Sequence, residues 1–434
     1  MLKITKDIWK QKMEKMYMSN SEKGVFFALF FLLLVFLEND TAAASSVQQQ
    51  IDSLKPGEEL LLNDVVIKES LTLTKPIIIR ANNVIIEQPL KIESNDVRIE
   101  GIHFQGEQGI LMKNVKNISI FNASFASSEE GVYIVNSQNI TLEQIELTGI
   151  PSDLAKRKHG ITVLRSETIL IDDAKLTGTL DSIYVEESKQ VRILNSQLRD
   201  GRYGVHSMYS EDIIVESSNI SEYTTGIMVM MSKNIMLKDN LVAHQQSVHG
   251  TALTIYDSKL ATIQENELRE NKTAIQLQKA SDIDMLGNEL VMNVIAISGM
   301  DVWDSVFSNN RLRMNVLTTA SSIDGLILSQ NAYDDYGGYD LDGDHIGDAP
   351  YIATSTFGQW VLKRPNYQYF LGSSSVQLLT TLDALLLLSS QNVLLDERPK
   401  LVNNASIEMD FRWPYFVVSL LILGLLITGW RKLL

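Results

Sequence analysis

The sequence predicts an all-β fold: a right-handed parallel β-helix, a solenoid with coils of about 22 residues, preceded by an N-terminal signal segment and followed by a C-terminal helical or transmembrane tail. Two recurrences predict the solenoid. An apolar marker returns at Ile99, Ile120, Leu142, Ile171, Ile193, Val215, Leu237, Ile263, Met285, Phe307 and Leu328, in steps of 21, 22, 29, 22, 22, 22, 26, 22, 22 and 21. Five positions after each marker stands another apolar or aromatic residue, from Phe104 and Phe125 through Leu147, Leu176 and Leu198 to Tyr333. A helical repeat would need apolar spacings of three and four, whereas these alternate as strands do.

Residues 1–44 read as a secretory signal segment. Lys3, Lys6, Lys10, Lys12, Lys15 and Lys23 precede an uncharged run from Val25 to Leu37 and then Ala42-Ala43-Ala44. Cleavage after Ala44 is the expectation, with an uncleaved N-terminal anchor as the alternative. The β-helix is assigned to 47–335, with Val47 to Ser94, including Val84-Ile85-Ile86, supplying the first coils.

Each coil has a second short strand, often opened by glycine, as in Gly109-Ile110, Gly131-Val132, Gly160-Ile161, Gly204-Val205 and Gly226-Ile227, which is read as relief for a tight corner. Asn240, Asn266, Asn288, Asn310 and Asn331 each follow their marker by three residues, so stacking aligns them in an amide ladder. The 29-residue step carries an insertion with Lys156, Arg157, Lys158 and His159, read as a solvated loop or a partner contact.

Alternation along the strand opened by Gly204 sends Val205 and Ser207 inward and His206 and Met208 outward. One coil later Met228 lies over His206 and Met230 over Met208, with Tyr184 and Glu186 on the coil before and Thr254 and Tyr256 on the coil after. Tyr203 and Tyr209 complete the patch. Imidazole and thioethers suit Cu(I), and an exposed methionine surface equally suits a protein partner.

Residues 336–352 form an Asp/Gly-rich segment in which Asp340, Asp342, Asp344 and Asp348 occupy the first, third, fifth and ninth positions of a calcium loop. His345 stands where such loops use glycine and Tyr351 where they close with glutamate, so a self-bonded turn is the competing reading. Residues 353–412 are assigned to capping and partner contact. From Trp413 to Trp430 the chain is uncharged and is followed by Arg431 and Lys432, which predicts a membrane anchor at 413–430 with its C-terminus in the cytoplasm; an interfacial helix is the alternative.

Composition narrows the function. A net charge of -15 speaks against a phosphate-backbone binder, so no nucleic-acid partner is expected. The chain has no cysteine, which excludes disulfides and thiolate metal sites. Without a Gly-rich Lys-Ser/Thr phosphate loop, any nucleotide hydrolysis belongs to a partner.

Three stretches resemble the NosD family of nitrous oxide reductase maturation proteins: Arg202-Tyr203-Gly204-Val205-His206-Ser207-Met208-Tyr209-Ser210, Tyr333-Asp334-Asp335-Tyr336 through Gly347-Asp348-Ala349-Pro350-Tyr351, and Val376-Gln377-Leu378-Leu379. The sequence departs from that pattern at Ser207, where an aromatic residue is expected, and at His345. The resemblance implies a non-enzymatic accessory role outside the cytoplasmic membrane, in assembly of the reductase's copper-sulfur centre. It implies as partners an ABC transporter's membrane and ATPase subunits, a copper chaperone and the reductase, with copper touching this chain only transiently if at all. The competing expectation is a cell-surface polysaccharide lyase, epimerase or carbohydrate-binding β-helix using Asp181, Glu186, Asp200, Arg202 and His206.

Overall fold

The computed structural model describes residues 46–401, apart from 107–108, 128–129, 151, 246, 320–322, 355–356, 358–359, 361–363, 371–372, 377, 380–381 and 383–392. The signal segment, the anchor at 413–430 and the adjoining end of the capping region therefore lie outside the described residues. Among the described residues no helix is long and apolar enough to cross a membrane.

The chain divides into two units at Leu54. What is described of the first is helix α1, Val47–Ser53, where a first coil was expected. A capping box explains it: Gln49 donates its backbone N–H to the Ser46 hydroxyl and Ser46 donates its own to Gln49 Oε1, both at 3.2 Å. Val47 and Ile51, one helical turn apart, are both buried.

In the second unit the strands begin at Glu59 and build a parallel β-solenoid. Some coils contribute three strands, as in Ile161–Leu164, Glu167–Asp172 and Lys175–Thr177, and in others two of these run on as one, as in Val97–Gly106 with Ile110–Lys113. Among the described residues every strand ladder is parallel except that between Tyr351–Ile352 and Leu395–Asp396. The marker column is in register coil by coil, for instance Ile171 with Leu142 and Ile193, and Ile263 with Met285. So is the column five residues later, from Phe104 with Phe125 to Leu312 with Tyr333. Both columns point inward and are buried, which makes them the core.

The glycines opening the second strands act differently from the expectation. None of those at 109, 131, 160, 204 and 226 has a positive φ. A side chain at Gly204 would instead put its Cβ 2.6 Å from the Gly226 carbonyl oxygen and 2.5 Å from Ile220 Cγ2, so glycine is required by the close approach of the next coil. The left-handed corner conformations fall on polar residues such as Asn195, Ser217, Asp239, Glu265 and Asn309, each directly before a ladder residue.

The asparagine ladder forms as expected. Asn266 donates its side-chain N–H to Asn288 Oδ1 at 2.9 Å and its backbone N–H to the same oxygen at 3.0 Å, and Asn288 repeats the pattern on Asn310. Serines continue the column upward through Ser218 and Ser196. At its other end Asn331 donates to the buried carboxylate of Asp396, whose strand lies parallel to Leu326–Ser329. A second column runs through Gln245, Asn271, Asn293 and Asn315, and a serine column through Ser166, Ser188, Ser210, Ser232 and Ser258.

These columns satisfy backbone N–H groups that the corners take out of the strand ladders, and a buried group left unsatisfied costs about 1–3 kcal/mol. Replacing Asn288 with alanine orphans the backbone N–H of Asn266, whose side-chain amide keeps the Leu237 and Gln264 carbonyls. The expected outcome is a loss of hydrogen-exchange protection at Asn266 and its neighbours and an unfolding free energy lower by about 1–3 kcal/mol, whereas an exposed change such as Lys91→Ala leaves both nearly unchanged.

Candidate functional site

The sheet that contains Asp181–Glu186, the second half of Gln197–Met208, the second half of Asn219–Met230 and Thr251–Tyr256 carries the candidate site. Its inward residues Val205, Ser207, Ile227 and Val229 are buried in the core. On the outward side the register pairs Tyr184 with His206 and Glu186 with Met208, then His206 with Met228 and Met208 with Met230, then Met228 with Thr254 and Met230 with Tyr256. The expected grouping of one imidazole and three thioethers is therefore present, with each methionine partly exposed.

His206 itself is a correction. It points away from the core yet is only 7% exposed, because aromatic neighbours and the insertion cover it. Tyr184 is tilted against its ring at 5.0 Å and Tyr203 meets it edge-on at 4.9 Å. His159, from the insertion, stacks on the other side of this group against Tyr184 at 4.9 Å. The 29-residue coil thus does more than leave a solvated loop: Lys156 and Lys158 are exposed, while Arg157 and His159 turn inward. Arg157 donates to Asp200 Oδ2 at 2.9 Å, which draws Asp200 away from the remaining candidates.

Asp181, fully buried at the start of its strand, organises the group. Arg202 grips it through Nε at 2.8 Å and Nη2 at 2.6 Å. His206 Nδ1 lies 3.0 Å from Oδ2, and His159 Nδ1 3.5 Å from the same oxygen. Burial alone would raise the Asp181 carboxyl; the hydrogen bonds from His206 and Arg202 outweigh it and hold the group below the usual carboxylate range. An ionised carboxylate can only accept, so His206 donates from Nδ1, and the neutral ring in that tautomer has its lone pair on Nε2. That Nε2 is buried and has no hydrogen-bond partner among the described residues, and the same is true of His159 Nδ1.

Of the other candidates, Glu186 accepts from the Tyr184 hydroxyl at 2.9 Å, which adds to burial in raising the tyrosine. The Arg202 guanidinium lies 4.6 Å above the Tyr203 ring. Tyr209 stands apart, half exposed at the next corner in a left-handed conformation. Sequence reasoning grouped His159 with a basic loop; its only signal was a histidine in an insertion just ahead of the strand preceding Asp181.

In the acidic segment Asp340, Asp342 and Asp344 each place a carboxylate oxygen within 4.8 Å of the others. Asp348 stands outside this group of three, and its Oδ2 accepts the Leu341 N–H at 2.6 Å. His345 takes the left-handed conformation of the glycine position, φ 67°. Asp340 also accepts from the N–H groups of Gly343 and His345. At Asp342 the Asp344 N–H bond pulls the pKa down, but crowding by Asp344 and Asp348 wins and raises it.

Residues 144–336 match the family described as periplasmic copper-binding protein (NosD), a stretch that contains every residue of the Asp181 group and the methionine rows. No curated protein matches the chain. Among solved structures, the chain is similar to a PL6 alginate lyase in complex with a trisaccharide, at 12% identity and a TM-score of 0.52, covering 66% of this chain and 81% of that one. It is also similar to PfbA, a surface adhesin of Streptococcus pneumoniae, at 13% identity and a TM-score of 0.51, covering 71% and 92%. At these identities the likeness shows the β-solenoid fold alone.

The buried imidazole supplies a pH prediction. Burial, with help from Arg202, holds His159 below the ordinary histidine pKa despite the pull of Asp181. The unfolded chain takes up a proton near pH 6.5 that the folded one resists, so His159 makes stability fall as pH drops below about 6.5. Urea unfolding across this range should show a shallower pH slope for His159→Gln than for the parent; an unchanged slope would place His159 in solvent.

Proposed function

We propose that this chain is an extracytoplasmic, non-enzymatic accessory protein for assembly of the copper-sulfur centre of nitrous oxide reductase, working beside an ABC transporter and a copper chaperone. The observation that carries the reading is the match of residues 144–336 to the NosD family. The segment 413–430 would hold the protein at the outer face of the cytoplasmic membrane, and the transporter's ATPase would supply the energy that a chain without a phosphate loop cannot.

The residues present fit a soft cation as passing cargo. His206 offers an unpartnered Nε2 whose orientation is held by a carboxylate on Nδ1; Met228 is its register partner on the next coil, and Met208 follows two residues later on the same strand, opposite Met230. Thioether and imidazole prefer Cu(I) over the hard cations, and a carboxylate behind a ligating imidazole raises its basicity and sets its direction. Partial exposure of the methionines leaves the cation accessible to a donor and an acceptor protein.

Deletion of the gene tests the reading, scored by copper content of the purified reductase. Copper-poor enzyme is expected, restored by the wild-type gene but not by a variant with His206, Met208, Met228 and Met230 all changed to alanine, leucine, leucine and leucine. Reductase with its full catalytic copper after deletion would remove the maturation role.

The carboxylate cluster is proposed as a hard-cation site, since three charges this close repel one another until a cation joins them. Calorimetry on the metal-stripped protein should give heat with millimolar calcium and none with Asp342→Asn. Absence of heat in the parent would leave the loop as a turn held by its own hydrogen bonds.

A further inference from the structure

Beside the His206 face, a groove of about 520 Å³ follows the corner where this sheet meets the next. It crosses successive coils rather than running along a strand. One wall is a register column of Glu211, Lys233, Lys259, Ser281 and Trp303. The other rises from the corner residues Glu187, Tyr209, Met231, Asp257 and Lys279.

Two features of the walls are unexplained by folding. Tyr209 is 51% and Trp303 52% exposed, although both are large rings facing a cavity. Charge is also left over. Glu211 is taken by Lys189 at 3.2 Å and Lys233 at 2.8 Å, whereas neither Lys259 nor Lys279 has a carboxylate within ion-pair distance among the described residues. Four lysines line the groove, Lys189, Lys233, Lys259 and Lys279, against three carboxylates, Glu187, Glu211 and Asp257, so positive charge is left over beside the exposed Trp303 indole.

We infer that this groove binds a linear carboxylated glycan, its sugar rings stacked on Trp303 and Tyr209 and its carboxylates taken by Lys259 and Lys279. Coils advance about 4.8 Å each, so the two aromatic rings are about 19 Å apart along the axis, four coil steps. A polymer lying along that axis meets a side chain at every step, a repeat close to the advance of one pyranose ring. An indole or phenol face suits the apolar face of such a ring while its polar edge stays wet.

An acidic peptide is the rival occupant, and the backbone argues against it. A peptide laid in a groove must find partners for its own N–H and C=O groups. Here the corner backbone is already spent between coils: Tyr209 N–H donates to Met230 O at 3.1 Å, Met231 to Tyr256 O at 2.9 Å and Asp257 to Gln278 O at 2.9 Å. With those N–H groups taken, the carbonyls of a bound peptide would have only side chains to accept from, whereas sugar hydroxyls and carboxylates are served by side chains alone.

The test is calorimetric titration of the full chain, in chelator, with hexagalacturonate, with neutral cellohexaose and with a hexaglutamate peptide. The groove does not involve the His206 group, so the result is independent of the copper reading. Hexagalacturonate should bind at least tenfold more tightly than cellohexaose and lose at least tenfold with Trp303→Ala. Lys259→Ala with Lys279→Ala should erase the preference for the acidic sugar while leaving hydrogen-exchange protection of the coils intact. No heat with millimolar hexagalacturonate, binding indifferent to Trp303→Ala, or tighter binding of hexaglutamate lost with the same variants would each overturn the proposal.

Discussion

The structure depends on the hydrogen bonding between one coil and the next. Strand N–H and C=O groups pair along the solenoid, and where a corner breaks that pairing a stacked serine or asparagine replaces it. Apolar stacking alone would tolerate slippage, since leucine on isoleucine packs about as well one residue away. An amide that must reach both a backbone N–H and the next amide tolerates none, so the polar columns keep the apolar ones in register. Asp396 ends the main column by accepting from Asn331, which ties a strand 65 residues away in sequence to the last coils.

Register is what turns distant sequence into a site. Asp181, Arg202 and His206 meet because their coils are consecutive, and His159 joins them because the long coil folds its extra residues back over the same face. A carboxylate buried this deeply is tolerated only because a bidentate guanidinium and an imidazole share it; removing one partner from such a group commonly costs about 3–5 kcal/mol. The same arrangement leaves one imidazole nitrogen with a lone pair and nothing to meet it. Stability and chemistry are thus tied to one aspartate.

Much of this was legible beforehand. A period of 22 with apolar alternation sufficed to pair His206 with Met228, because side-chain direction in a strand follows from parity and neighbours follow from the period. The amide ladder was legible for the same reason. Burial of His206 was not, since the covering residues belong to an insertion whose path has no period. Helix α1 is less legible, because Val47 and Ile51 fit either an alternating or a helical pattern and only the Ser46-to-Gln49 box decides between them. The corner glycines were attributed to backbone freedom when the reason was the carbonyl oxygen of the next coil.

The absence of cysteine in this chain makes the central claim directly measurable. Ile214 and Met236 are outward register partners on consecutive coils, so cysteines placed at both should lie within disulfide reach, about 4.4–6.8 Å between Cα atoms. Mild oxidation of Ile214→Cys with Met236→Cys should give a cross-link quantitatively, seen as a mass loss of two hydrogens, while Ile214→Cys with Lys238→Cys stays reduced. Cross-linking of the second pair in preference to the first would show a different register, and the site built on that register would go with it.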